Sequence, residues 1–212
     1  MALPLHALTK LKPLLKGEVL SLGYPDLDAT SAEVEKLFGY KPTRFTQAHK
    51  RHGRPDPLPD SEELFEFLGV RLTVVDFVKV RGMEIVANLN EVHELGQFDL
   101  VIDPGTLEHC FNIGQAMMNA ANAVKLGGSI LHLSPMNMPN HGFYNLSPTL
   151  YHDFYTQNGW SIDLKVIATP FKVSLTDRFV VTSESLLRCI AQKHDDSPLK
   201  MPIQTKYLKE NK

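Results

Sequence analysis

This chain of 212 residues has only two cysteines, Cys110 and Cys189, far apart and in no Cys-x-x-Cys spacing. That excludes a disulfide framework or a cysteine-built metal site, and two buried thiols in a reducing compartment are expected instead. A basic excess is also missing. Lysine and arginine number 22 against 24 aspartates and glutamates, for a net charge of -2. With only the short Lys50–Arg54 cluster to set against this, no nucleic-acid-binding surface is expected. No apolar run is long enough to span a membrane. The leucine-rich start, Met1 to Gly17, is interrupted by Pro4, Pro13 and three lysines, and no small-residue cleavage site follows. It therefore reads as neither a signal peptide nor a membrane span, and a cytoplasmic protein is expected. There are no internal repeats or low-complexity tracts. No Gly-x-Gly-x-x-Gly follows any predicted strand, which argues against a dinucleotide-binding oxidoreductase.

The most informative stretch runs from Phe98 to Asn112, Phe-Asp-Leu-Val-Ile-Asp-Pro-Gly-Thr-Leu-Glu-His-Cys-Phe-Asn. It reads as a buried strand ending in an acidic turn that opens into a helix. Val124-Lys-Leu-Gly-Gly128 then reads as a turn, and Ser129 to Leu133 as the next strand. A strand, a helix and another strand in this order make a βαβ unit and force a parallel sheet. Ligands of such sheets bind at the carboxyl ends of the strands, where Asp103 to His109 fall.

Further strands are predicted at Glu18–Leu22, Arg71–Phe77, Met83–Ala87, Ile162–Ala168 and Glu184–Gln192. Helices are predicted from Thr30-Ser31 to Phe38, where Glu33 completes a capping box, and over Glu62–Leu68 with Ser61 as cap. Two more are predicted over Asn112–Val124 and, with Pro148 at its first turn, Thr149–Asn158. Tyr40 to Asp60 reads as a long irregular segment, functional or mobile. Its His49–Pro55 run is a solvated loop, a lid or an anion site. Residues 1–193 are expected to form one domain, and 194–212 a loosely attached polar tail. The whole is an α/β three-layer sandwich.

From Gly17 to Gln192 the order of signals resembles the class I S-adenosylmethionine-dependent methyltransferases, small-molecule branch. The resemblance implies a mostly parallel, seven-stranded, Rossmann-like sheet whose last strand is antiparallel. It also implies S-adenosylmethionine lying across the carboxyl ends of the first four strands. Asp76, ending the second strand, matches the acid that holds the ribose hydroxyls. Asn88 or Asn90, after the third, matches the polar position that meets the adenine amine. Asp99–Asp103 and Gly105–His109 match the fourth-strand motif, which faces both cofactor and substrate.

The first motif departs from the family pattern. Ser21 stands where an acid is usual, and of the expected glycines only Gly23 is present, followed by Tyr24, Pro25 and Leu27. Proline has no N–H, and bulky side chains displace a closely held ligand. Asp26 or Asp28 is left to bind the amino group of the cofactor. The resulting cofactor set is Gly23, Asp26, Asp76, Asn88, Asp103 and Gly105.

On the acceptor side, His109 and His141 are candidate proton acceptors, because imidazole titrates near neutral pH and a carboxylate can orient it. Glu108, Asn140 and Tyr144 are candidate substrate contacts, the last two in a loop at the same sheet edge as Asp103. Alternatives stand beside each. Asp76 serves equally as a turn residue, Glu108 as a helix-opening acid favoured by the dipole, and the 137–144 loop as a polar loop with an aromatic anchor. His132, inside a strand, reads as a satisfied core histidine. The expected function is methyl transfer to a small polar acceptor, such as a sugar or glycan hydroxyl. The alternative is a non-catalytic binding or assembly module that kept the fold and closed the cofactor site.

Overall fold

A computed structural model describes residues 2–47, 55–168, 174–175, 180–181 and 185–208. The His49–Arg54 part of the basic run, and the Thr169-Pro170 and Asp177-Arg178 turns, lie outside the described residues. Seven strands form the central sheet: β1 (Glu18–Leu22), β2 (Arg71–Asp76), β3 (Ile85–Val86), β4 (Phe98–Asp103), β5 (Val124–Asn137), β6 (Ser161–Ala168) and β7 (Ser185–Gln192). Their spatial order is β6-β7-β5-β4-β1-β2-β3. Strands β1 to β5 pair in parallel, whereas β7 runs antiparallel to both β5 and β6. This is the implied sheet, with its last strand reversed. The strand order reverses at β1, whose residues Val19 to Leu22 are fully buried.

Alternation along the strands divides the interior into two cores. Leu20, Leu22, Val101 and Ile130 face one core, together with Met117, Tyr151 and Trp160. Val19, Leu100, Ile102 and Leu131 face the other, with Leu8, Val34 and Leu64. On the first side lie helices Ile113–Asn122 and Pro148–Gln157. On the second lie Leu5–Leu11, Ser31–Phe38 and Ser61–Phe67. The three layers follow from that division. Among the described residues no helix is long and apolar enough to cross a membrane.

Local chemistry explains most boundaries. Thr30 and Glu33 cap each other's backbone groups at the start of Ser31–Phe38, and Gly39 closes that helix at φ 71°. Some details differ from the sequence expectation. Asp60, not Ser61, caps the third helix by accepting from the N–H of Glu63, and Ser61 is buried in its first turn. Val124–Gly128 is no separate turn but part of the long strand β5. The pairing with β4 slips there, from Phe98↔Val124 to Leu100↔Ser129. Both cysteines are free and buried, and burial pushes the Cys110 thiol up to about 11 and that of Cys189 to about 12. The 194–208 segment is tied down rather than loose. Asn158 and Gln157 bond to Lys200 and Ile203, and both Asp153 carboxylate oxygens accept from Thr205.

At the carboxyl end of the sheet, register places Asp103 on β4 beside His132 on β5. Both side chains are fully buried. His132 Nδ1 donates to Asp103 Oδ2 at 2.8 Å, and its Nε2 meets the Tyr155 hydroxyl at 2.6 Å. Burial holds the Tyr155 and Tyr151 phenols far above their ordinary range. The other Asp103 oxygen accepts from the N–H of Thr106 and Leu107, fixing the turn that leaves the strand. His132 is thus the satisfied core histidine its strand position predicts.

Replacing His132 by phenylalanine would strand a buried carboxylate. About 3–5 kcal/mol of stability should be lost, read as a lower urea midpoint with the far-ultraviolet dichroism of the folded state intact. An unchanged midpoint would show that Asp103 does not depend on its partner.

The Thr205 hydroxyl, then His152 and the Thr205 N–H, hold the Asp153 carboxyl below the usual carboxylate range. A depressed folded value means this stabilisation is complete above an ordinary aspartate value of about 4 and lost as pH falls through the folded value. The amide protection factors at 203–208, exchange rates taken relative to the unfolded chain at the same pH, should therefore fall on acidification below about pH 4, before the sheet opens. Protection factors unchanged by acid would contradict this anchoring.

Candidate active site

Four turns converge above the carboxyl ends of β1 to β4 and enclose a cavity of about 350 Å³. Its walls come from Leu22–Tyr24 and Asp26 after β1, Asp76, Phe77, Val80, Arg81 and Glu84 after β2, Ala87–Asn90 after β3, and Pro104–Thr106 with His109 and Cys110 after β4. The volume lies within the range of about 300–1,000 Å³ usual for small-molecule sites. A larger hollow of about 610 Å³ lies between the start of helix Ser31–Phe38 and residues 55–58, bordering the undescribed 48–54. Among the described residues its walls hold a single titratable group, Asp56.

The departure in the first motif does not plug the cavity. Gly23 takes φ 81°, and its N–H donates to the Val75 carbonyl. A Cβ there would sit 3.2 Å from Thr106 Oγ1 and 3.8 Å from Asp76 Oδ2, so only glycine lets the three turns close up. The Thr106 hydroxyl donates to the Leu22 carbonyl, tying the end of β1 to the turn after β4. Ser21, standing in place of the acid, donates to the Gly23 carbonyl at 2.7 Å. Pro25 is buried, and Leu27 packs into the second core. Tyr24 forms a wall, with its hydroxyl 3.0 Å from Asp60 Oδ2. Burial raises that phenol to about 12.

Several predicted cofactor residues are lining groups. Gly23, Asp76, Asn88 and Gly105 all face the cavity, Gly105 at φ 99°. Asp76 Oδ1 accepts from the N–H of Phe77 at 2.7 Å, which orients the carboxylate at the strand end. Asn88 and Asn90 brace each other, Asn88 Oδ1 accepting from Asn90 Nδ2 at 2.8 Å. Two assignments need correction. Asp103 does not reach the cavity. It is fully buried and spends both oxygens on His132 and the following turn, so its role is positional. Asp26 does line the cavity, but its carboxylate is held in an ion pair by Arg81, so it is no free acceptor for an amino group.

Arg81 is the main residue missed from the sequence. Its guanidinium lies 3.7 Å from the centre of the Tyr24 ring, pairs with Asp26 and donates to Thr46 at 3.0 Å. Buried Glu84 accepts from the N–H of Arg81 and Gly82. Burial opposes its charge, but these backbone donors prevail and hold its carboxyl low. The available signal was an acid three residues after Arg81, around Gly82. Asn119 was also missed. Its side chain donates to the carbonyls of Leu89 and Glu91 and so fixes the loop after β3 from within a helix.

The acceptor-side candidates assemble in part. His109 lines the cavity, and its ring centre is 5.2 Å from that of His141. Burial lowers the His109 pKa, a shift that the neighbouring Glu108 charge opposes. Glu108 is fully buried, with Oε1 at 3.5 Å from His141 Nε2. It sits in a 3-10 turn, Leu107–His109, rather than in the helix that begins at Ile113. Neither Asn140 nor Tyr144 is among the cavity walls. Asn140 is exposed at φ 64°, and the Tyr144 hydroxyl donates to the Phe111 carbonyl at 2.8 Å. Unpredicted Phe111 and Phe143, both exposed, meet edge to face at 5.7 Å next to the histidine pair.

No family model matches the chain, and no curated protein matches it in sequence. Solved structures do match it in shape. One is a S-adenosylmethionine-dependent methyltransferase from Archaeoglobus fulgidus, at TM-score 0.52 and 12% identity, covering 89% of this chain and 92% of that one. Another, assigned as a methyltransferase, comes from Bacillus halodurans C-125, at TM-score 0.50 and 13% identity, covering 89% and 98%. Together with the sheet order and the reversed last strand, these likenesses show that the chain has the fold of the class I S-adenosylmethionine-dependent methyltransferases.

Proposed function

We propose that the protein transfers a methyl group from S-adenosylmethionine to a small polar acceptor, a sugar or glycan-related hydroxyl. One observation carries this reading: the turns after β1, β2, β3 and β4 enclose an open cavity, with Asp76 and Asn88 at the positions the family resemblance assigns to ribose and adenine. Bound there, the donor brings an already activated methyl group, and the protein's task is alignment of acceptor, methyl and sulfur. Asp76 accepts from the ribose hydroxyls, and Asn88 serves the adenine edge. Gly23 and Gly105 allow the backbone to approach the ligand closely.

His109 and His141 stand on the acceptor side. Their imidazoles and the Glu108 carboxylate supply the chemistry available to ease loss of a hydroxyl proton. The exposed pair Phe111 and Phe143 offers an apolar edge against which the carbon face of a sugar ring packs. The reading of a non-catalytic module draws its support from the Asp26–Arg81 pair, which occupies the first turn where the donor's amino group would lie.

Calorimetric titration with S-adenosylhomocysteine separates the two readings. Saturable binding is expected, and Asp76→Ala should weaken it about 10- to 100-fold, the loss of hydrogen bonds to a charged acceptor. No heat at millimolar ligand would remove donor chemistry. Equal affinity in the variant would detach Asp76 from the ribose.

A further inference from the structure

The Glu108 side chain is fully buried, and neither of its carboxylate oxygens has a hydrogen-bond partner. Buried carboxylates are paired, hydrogen-bonded or bound to a metal ion, because an isolated one is costly. The closest group of opposite character is His141. Its Nε2 lies 3.5 Å from Oε1, outside hydrogen-bond length, and is itself buried without a partner. His109 completes the group: one ligand atom from each of the three residues lies within 4.8 Å of the others.

We propose that Glu108, His109 and His141 bind one divalent first-row transition ion of the zinc or iron(II) class. Two imidazoles and one carboxylate suit such ions better than calcium or magnesium, which favour all-oxygen sites. Bonds of about 2.0–2.2 Å set neighbouring ligand atoms roughly 3 Å apart. The Glu108–His141 separation is already close to that, and the His109 ligand atom lies within 4.8 Å of both.

The backbone is built for this approach. The Phe143 N–H donates to the Glu108 carbonyl at 2.9 Å, clamping the second loop onto the first. A Cβ at Gly142 would lie 2.9 Å from that carbonyl oxygen and 3.0 Å from Glu108 Cγ, so a side chain at 142 would push His141 away. Asn140 adopts φ 64° immediately before the histidine, a conformation asparagine tolerates better than most residues. The loop is thus pressed against a carboxylate that it does not hydrogen-bond. A cation between the two satisfies both.

Three protein ligands leave coordination positions open. Because His109 also lines the donor cavity, those positions lie at its rim, where water or an acceptor oxygen completes the shell. Binding of the ion stands apart from the methyl-transfer reading. Only its use, lowering the pKa of a coordinated acceptor hydroxyl so that its proton passes to solvent, rests on that reading.

The test is a cobalt(II) titration of the full chain, stripped of metal by chelator, followed by visible d–d absorption. One equivalent should bind. His141→Ala and His109→Ala should each weaken binding by more than about 100-fold, beyond the roughly 10–100-fold that loss of a supporting residue costs. Glu108→Gln should do the same if its dichroism shows it folded, and His152→Ala, outside the cluster, should bind like the parent. Absent bands at millimolar cobalt(II), or bands unchanged in both cluster-histidine variants, would overturn the site. S-adenosylhomocysteine titrated in parallel keeps the readings apart, since either ligand can bind while the other fails.

Discussion

The site depends on a carboxylate that solvent never touches. Asp103 ends β4 under the cavity floor, and its two oxygens serve different masters. One accepts from His132 on the neighbouring strand, and the other from the turn that leads to His109. A buried charge requires such partners, so the register of β4 against β5 and the path of the turn are fixed together. His132 in turn reaches Tyr155 on the helix Pro148–Gln157, joining sheet, turn and outer layer in one hydrogen-bonded chain. Satisfied polar networks of this kind rigidify the structure around them. Here that structure holds Gly105, Thr106 and His109 against the cavity.

The other walls of the cavity are fixed by different means. After β1, the wall depends on Gly23 having no side chain and on the Thr106 hydroxyl meeting the Leu22 carbonyl. After β2, Arg81 stacks on Tyr24 and pairs with Asp26, while Glu84 holds the backbone on either side of the bend. After β3, Asn119 reaches up from its helix to hold two carbonyls of the loop. Each turn is therefore held by bonds among the wall residues themselves or to the layer behind them. This is how a polar pocket stays open in a folded protein: the groups that build it are already hydrogen-bonded, while Asp76 and His109 face inward.

The architecture was legible because its signals are local. β1 occupies Glu18–Leu22 as the apolar run predicts, and the Thr30–Glu33 capping box forms as its spacing requires. Strands alternating with helices pointed to three layers, and a sheet covered on both faces has the two cores observed. The candidate site was legible in part. Gly23, Asp76, Asn88 and Gly105 reach the cavity because a strand's end and the turn after it are visible in sequence. Asp103 was misjudged because strand position alone cannot show which way a carboxylate turns. The missing fact was its register partner, His132, lying 29 residues away along the chain.

Composition, periodicity and turn chemistry thus determined the layered α/β fold and the sheet edge that holds the site, because each acts over a few residues. Contacts between distant segments were decided only by the tertiary structure. Arg81 and Asp26 stand 55 residues apart and close one wall. Glu108 and His141 come from different loops, and they meet because strands β4 and β5 end side by side and Gly142 lets the second loop settle on the first. Such encounters depend on how strand ends are arranged in space, and no spacing along the chain encodes that arrangement.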